Sequence, residues 1–293
     1  MAVSNKFIDR INKLKEEYDS LKKGKESLLD IIFETELPES VYNSNAIENS
    51  TLTISETEKI LLEMEVGRQV TVREVFEAKN LARIFEYLKN KKEELDLDND
   101  LMLFLHKILM SNINDNIAGR YREAGEYVRV GGYIAPAPEH IGSMINSLLL
   151  DYSGDTKDYF LGKISRFHLE FEHIHPFCDG NGRIGRVLIN YQLMRLGFPP
   201  LIIRNKEKQI YYSAFSEYRN SNKKKTSIMD RVLISALIES FHKRLTYLRG
   251  EKIIKLSDYA KEKDLQFNSL LNKAKRQTIP AFREKGVWKI GQL

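Results

Sequence analysis

Residues 175–186 read His-Pro-Phe-Cys-Asp-Gly-Asn-Gly-Arg-Ile-Gly-Arg, between an amphipathic run at Phe160–Phe171 and a second run from about Ile184 to Leu196 that Gly197-Phe-Pro-Pro stops. Helix, glycine-rich loop and helix are therefore the unit to work outward from. Gly180 and Gly182 flank Asn181, so backbone N–H groups can approach an anion closely, and the following helix aims its positive end at the same point. Arg183 and Arg186, three apart in the first turn, predict two guanidinium forks facing polyphosphate oxygens. As mere solvated residues they would be out of place, because basic charge is disfavoured at a helix start. Asp179 is a hard oxygen donor at the mouth of the loop, suited to a Mg2+ that bridges phosphates and keeps most of its waters. His175, with an ordinary pKa near 6.5, stands where a general base would face the reacting phosphorus.

Three rival readings use the same residues. Gly180, Gly182 and Gly185 spell G-x-G-x-x-G, but the preceding segment is helical and no suitably placed acid closes a βαβ unit, so a dinucleotide fold is rejected. His168, Glu172, His173 and His175 are metal-ligating types, with 168 and 172 on one helix face, yet two nearby arginines oppose a bare dication site. Cys178 as a nucleophile paired with His175 rests on proximity in sequence alone, against the simpler reading of a small side chain in a tight loop.

Away from the loop, 16 Gly and 7 Pro among 293 residues leave few breakers, and most segments recur at i, i+3, i+4, so the fold is expected to be mostly helical. Apolar positions mark helices at 7–21, 28–32, 72–88, 101–110, 141–150, 211–218 and 228–248, and Ser55 with Glu58 predicts a capping box before Ile60. Residues 121–136 alternate short β-branched and aromatic runs with Gly125, Gly131 and Gly132, which predicts a small β-hairpin flap. From Leu256 onward, two short helices and a turn between strand-like pairs resemble a winged-helix unit. The net charge of +5 resides in residues 251–293, with ten basic against five acidic side chains, so the body is neutral and its phosphate chemistry rests on placed arginines. A single cysteine excludes an intramolecular disulfide framework and fits a reducing compartment. With no apolar run near 18 residues and no secretory-type N-terminal stretch, a soluble cytoplasmic protein without a membrane partner is the expectation.

His175 to Arg186 matches H-P-F-x-[DE]-G-N-G-R-x-x-R at every specified position, and on those twelve residues the chain resembles the Fic family, over residues 40–235. The resemblance implies an all-α Fic fold with a small β-hairpin flap: residues 1–95 as an N-terminal helical region, 96–249 as the catalytic domain and 250–293 as the winged-helix-like tail. It also implies transfer of AMP from ATP, with Mg2+, to a hydroxyl of a target protein or of the chain itself, releasing pyrophosphate. Under it His175 is similar to the base for a Ser, Thr or Tyr hydroxyl and Phe177 to the apolar anchor of the loop. Asp179 is similar to the Mg2+ ligand, Gly180, Asn181 and Gly182 to the anion hole, and Arg183 and Arg186 to the β/γ-phosphate clamps, with Ile184 and Gly185 completing the ATP-binding stretch. Val130, Gly131, Gly132 and Tyr133 resemble the flap that covers the nucleotide and aligns the target by strand addition. Tyr211 and Tyr212 fall where the family has a Tyr pair near the adenine, with ordinary core packing left open, and Asn220 is placed near the nucleotide.

Ser44-Asn-Ala-Ile-Glu48-Asn49 resembles the family's inhibitory motif [ST]-x-x-x-E-[GN]. A carboxylate paired with Arg186 would occupy the guanidinium meant for the γ-phosphate and leave ATP misaligned for attack at the α-phosphorus. The competing reading of Asn45 and Glu48 is a helix-capping pair. Two other functions stay open: a hydrolase that removes AMP with a water activated by Glu48, and a DNA-binding regulator acting through the basic tail. For that tail, target recognition or dimer packing ranks ahead of DNA contact. Self-association as a homodimer is carried over from the family alone.

Overall fold

Two helices meeting at the loop form the centre of the molecule. The computed structural model describes residues 3–66, 69–91 and 93–292. Helix α7 (Phe160–Ile174) ends on His175, which takes a left-handed conformation (φ 51°, ψ 62°), and α8 (Asn181–Arg195) starts from Gly180, also left-handed at φ 81°. The second helix begins three residues before the expected Ile184. Asn181 is the reason: its side chain accepts from Phe177 N at 2.9 Å and donates to Phe177 O at 2.8 Å, closing the loop into a ring that starts the helix early.

Helix α8 is buried continuously from Arg183 to Met194. One side, with Ile184, Val187, Leu188 and Tyr191, joins a core shared with α4 (Val72–Lys91), α5 (Asn99–Met110) and α6 (Ile141–Gly154). The other side, with Ile189 and Leu193, joins a core made with α1 (Asn5–Leu21), α9 (Lys208–Asn220) and α10 (Ser227–Arg249). Helix α7 divides its apolar residues in the same way, Phe167 and Phe171 to the first core and Leu161 and Ile164 to the second. Two helices buried on both sides fix the loop between them from both directions.

Helix α2 (Glu26–Ile47) runs well beyond the 28–32 stretch read from its apolar residues, passing through Pro38. Tertiary contacts outweigh the missing N–H there: Ile32, Val41 and Ile47 are buried, and Glu36 and Glu39 are paired with cations from other segments. The capping box of α3 (Ile54–Leu62) corrects the sequence reading. Thr53 and Glu56 form it, with Glu56 N donating to Thr53 Oγ1 at 3.2 Å and Thr53 N donating to Glu56 Oε2 at 2.8 Å, while Ser55 already lies inside the first turn.

The flap is two two-residue strands, β1 (Arg129–Val130) and β2 (Tyr133–Ile134), paired antiparallel with Val130 opposite Tyr133. The C-terminal segment has winged-helix order: β3 (Lys252–Lys255), α11 (Leu256–Glu262), α12 (Phe267–Lys275), β4 (Ala281–Glu284) and β5 (Val287–Gln292), with β5 central in the sheet. It has a small core of its own around Leu256, Leu270, Ala281 and Ile290. Its hairpin turn lies on α2 and α3: Lys285 N and Gly286 N donate to Glu39 of α2 at 3.1 and 3.0 Å, and Lys285 Nζ meets Glu58 of α3 at 2.8 Å. Buried Arg204 bridges Glu39 and Glu239, and Arg283 binds Glu239 and Glu207.

Candidate active site

The loop is held rigid chiefly by groups outside the motif. Phe177 is fully buried and stacks on His106 of α5, ring centroids 3.8 Å apart and nearly parallel. His106 Nδ1 accepts from Gly119 N at 3.1 Å, which leaves the proton on Nε2 to donate to Asp179 O at 3.1 Å. Arg122, also buried, donates to His175 O, Glu126 O and Pro136 O at 2.9 Å each, and its own N–H donates to Pro176 O. That one guanidinium ties the glycine-rich loop to the base of the flap. Sequence reading missed both residues, because their partners are backbone atoms far away in the chain.

At the loop itself, Gly180 has no room for a side chain: a Cβ would lie 2.8 Å from Leu109 Cδ2. His175 is mostly buried, and burial pulls its pKa down to about 4, so the imidazole is an unprotonated base at neutral pH. Glu172, one turn earlier in α7, moves the other way. Burial first and the charge of Glu48 next push it up to about 8.

The two motif arginines diverge from the shared orientation that their spacing predicts. Arg183 binds Glu77 of α4 at 2.9 Å and Asp179 at 3.0 Å. Arg186 donates to Ser44 Oγ at 3.0 Å, Ser44 O at 2.8 Å and Glu48 Oε1 at 2.9 Å. Burial alone would lower its pKa, but Glu48 and then Tyr211 more than offset this and hold it charged. The Glu48 carboxylate also lies over Gly182, where an added Cβ would clash with it. Glu48 sits at the C-terminal cap of α2, and the Asn45–Glu48 capping pair considered from sequence does not start a helix. Tyr212 OH donates to Ile47 O at 2.9 Å and Lys208 Nζ to Asn49 Oδ1 at 2.6 Å, two contacts that fasten this helix end over the loop.

Asp179 shares its carboxylate among Gly180 N, Arg183 and the half-exposed Arg73 of α4. Burial alone would raise its pKa, but Arg183 and Arg73 hold it below the usual carboxylate range. Among the described residues no cluster of three or more His, Cys, Asp or Glu side chains could cage a metal ion. A lone carboxylate on an anion cradle suits a cation that takes its remaining ligands from phosphates and water. In the flap, Gly131 is left-handed at φ 57°. Tyr133 OH donates to the carbonyls of Glu172 and His173, 3.1 Å each, while its ring stacks on His173 under Arg219. Tyr211 is buried with its hydroxyl 2.8 Å from His168 Nε2 and 3.5 Å from Arg186 Nη1, a core position beneath the arginine. Asn220 is exposed at the end of α9, beside the Arg219 that covers the flap tyrosine.

Residues 96–193, which hold the whole loop, all of α7 and α8 up to Leu193, match the Fic/DOC family. The chain carries a Fic domain. A protein adenylyltransferase Fic of Nematostella vectensis is 30% identical over 235 residues, 74% of this chain and 50% of that protein. Protein adenylyltransferase fic-1 of Caenorhabditis elegans is 29% identical over 219 residues, 73% of this chain and 42% of its own. The chain thus spans about half the length of the curated relatives it matches. Among solved structures, a Fic domain containing signaling protein of Bacteroides thetaiotaomicron superposes at TM-score 0.73 with 25% identity, covering 83% of this chain and 97% of that one. A Fic family protein of Desulfovibrio desulfuricans covers all of this chain and 97% of its own at TM-score 0.68 and 19% identity, a likeness of fold that extends through the tail. No helix among the described residues is long and apolar enough to cross a membrane.

Proposed function

We propose that this Fic-domain protein transfers AMP from ATP to a hydroxyl of a target protein or of itself, and that Glu48 restrains the transfer. The observation that carries the reading is the opposition of two features at one loop. A buried, unprotonated His175 stands at one end of the Gly180–Arg186 stretch, and at the other Glu48 occupies the cradle and its arginine. In the working arrangement Arg183 and Arg186 hold the β- and γ-phosphates, the backbone N–H groups of Gly180 to Gly182 face the phosphate charge, and Ile184 and Gly185 complete the ATP-binding stretch. Asp179 would be the protein ligand of Mg2+, which when bound offsets phosphate charge. That requires Arg73 to release it, and a half-exposed ion pair of this kind is worth about 0–1 kcal/mol.

The flap strands Val130 and Tyr133 offer an edge to an extended target segment, with Gly131 and Gly132 at the turn. His175 Nε2 takes the proton as the target O–H bond breaks. The target oxygen then bonds to the α-phosphorus while the bond from that phosphorus to the pyrophosphate oxygen breaks. Tyr211 supports Arg186 from below, and for Asn220 we retain a place near the nucleotide. Cys178, the single cysteine, supports a reducing, cytoplasmic setting. The tail's hairpin is spent on α2, which favours a bracing role over DNA contact.

The test is transfer of labelled AMP from ATP and Mg2+ by wild type, Glu48→Gly and Glu48→Gly/His175→Ala. Glu48→Gly is expected to label itself or a target well above wild type, and the added His175→Ala to abolish labelling while ATP binding persists. Equal labelling by wild type and Glu48→Gly removes the restraint, and persistent labelling without His175 removes it as the base. A wild-type protein that releases AMP from modified targets, and loses this on Glu48→Gly, would instead favour the hydrolase.

A further inference from the structure

The reaction above uses the Nε2 edge of His175 and leaves the groups behind its other edge unassigned. Glu172 Oε2 lies 3.7 Å from His175 Nδ1, too long for a hydrogen bond but directly facing it. Glu172 Oε1 is buried without a hydrogen-bond partner among the described residues, and His175 Nδ1 and His168 Nδ1, buried as well, meet only the backbone of Glu172 and of Gly185 at distances too long for a good hydrogen bond. Two of them converge on Gly185, where a Cβ would lie 2.8 Å from Glu172 Oε1 and 2.9 Å from His168 Nδ1. Beyond them His168 Nε2 reaches Tyr211 OH, and Tyr211 reaches Arg186. A file of polar groups therefore runs through the core from Arg186 to the catalytic histidine. Each orphaned polar group costs about 1–3 kcal/mol. A position kept for packing alone would be better filled by an apolar residue, so the file calls for a role in the chemistry.

We propose that Glu172 is a positioning residue for His175: its carboxyl oxygen, together with its own backbone carbonyl, receives the Nδ1–H edge of the imidazole, leaves Nε2 as the free base, and faces the imidazolium once the target's proton has arrived. The proposal rests on the AMP-transfer reading. Charged and titratable groups around Glu172 come from each neighbouring element: His168 and His175 from α7 and its cap, Arg186 from α8, Glu48 from the end of α2, and Tyr211 from α9. Arg122 and Asp179 act in turn on His175. In the restrained arrangement both members of the pair are neutral at pH 7, since burial keeps the acid protonated and the histidine unprotonated. When Nε2 takes a proton, the ring becomes a cation whose Nδ1–H needs an acceptor in a dry site, and the Glu172 carboxyl is the side-chain oxygen placed there. Gly185 is part of the same device, because only a residue without Cβ lets α8 pass this close to Glu172 and His168.

The experiment uses the full chain carrying Glu48→Gly as parent, with Glu172→Met to remove the acceptor at similar volume and Glu172→Gln to retain an uncharged one. Three readouts are taken: kcat and KM for ATP in AMP transfer, the pH profile of kcat, and the titration of the His175 imidazole followed by NMR. Glu172→Met is expected to lower kcat about ten- to a hundredfold, a share of the about 10²–10⁴ that a general base contributes, with KM for ATP within about twofold. Losing an acceptor that favours the protonated ring must move both the acid limb and the His175 titration to lower pH, and Glu172→Gln should recover part of each. A Met variant with parental kcat, acid limb and titration overturns the proposal. So does a loss of kcat with the limb and titration unmoved, because that marks Glu172 as packing alone. If the parent transfers no AMP, the transfer reading is what fails, and the His175 titration in the two folded proteins still decides the role of Glu172.

Discussion

Gly180 combines a left-handed backbone with a Cβ position 2.8 Å from a buried leucine, so its replacement is penalised twice. Gly180→Ala should cost about 2–5 kcal/mol, from about 1–2 for a left-handed alanine and about 1–3 for overpacking against Leu109. Chemical denaturation measures this, and a loss under 1 kcal/mol would show that the loop relaxes around the methyl group. At this scale the sequence was most informative where function depends on backbone geometry: the glycines, His175 and Asp179 could be named from spacing alone. It was least informative for His106 and Arg122. Both are polar residues in stretches read only as helix and flap, and what they do depends on the N–H of Gly119 and on carbonyls contributed by residues 126–179. The two arginines fall between these cases. Their spacing gives the right helix turn, but the acids that turn them apart, Glu77 and Glu48, lie on separate helices.

Among the elements, α2 departs most from its sequence reading, and its end meets the site, with Ser44 and Glu48 on Arg186. Its pattern is obscured by Pro38 and by Glu36 and Glu39, acids on a buried face whose cations arrive from Arg204, Lys243 and Arg244. No local signal could supply partners so distant. The same contacts tie α2 to the tail and to the site: Glu39 is clamped by Arg204 and by the tail's Lys285 and Gly286 backbone, and Ser44 and Glu48 follow about one and a half and two and a half turns later. Glu39→Gln removes a buried charge while keeping the shape, and should loosen this end of the helix. With Glu48 intact, AMP transfer is then expected to rise about two- to thirtyfold, the range of about 0.5–2 kcal/mol seen for mutations that alter coupling. Added to Glu48→Gly, the same change should give no further rise. An equal rise in both backgrounds would mean that Glu39 acts on the site by some route other than Glu48.

For the whole molecule, the titrating groups of the core set how stability depends on pH. Burial is the leading cause in pulling His106, His175 and His242 down to about 4 and His168 to about 3. Each has a folded pKa below the unfolded value of about 6.5, so on acidification the unfolded chain binds protons first, and stability present above pH 6.5 is lost as the pH falls toward 4. Glu172 has the opposite sign. Its folded pKa of about 8 lies above its unfolded value, so it weakens the fold as pH rises through 8 and recovers stability on acidification. These four histidines against Glu172 leave a net uptake of roughly two to three protons on unfolding near pH 5.5, at about 1.4 kcal/mol per pH unit for each. Net charge offers no hint of this, because the histidines count as neutral in it and their burial arises only when the helices assemble. The melting temperature is therefore expected to be highest near neutrality and to fall steeply between pH 6.5 and 5. Glu172→Met, which deletes an opposing group, should steepen the fall by about one proton's worth. A melting temperature unchanged between pH 7 and 5 would show that these histidines protonate within the fold, and would remove the ground for treating His175 as an unprotonated base in a dry site.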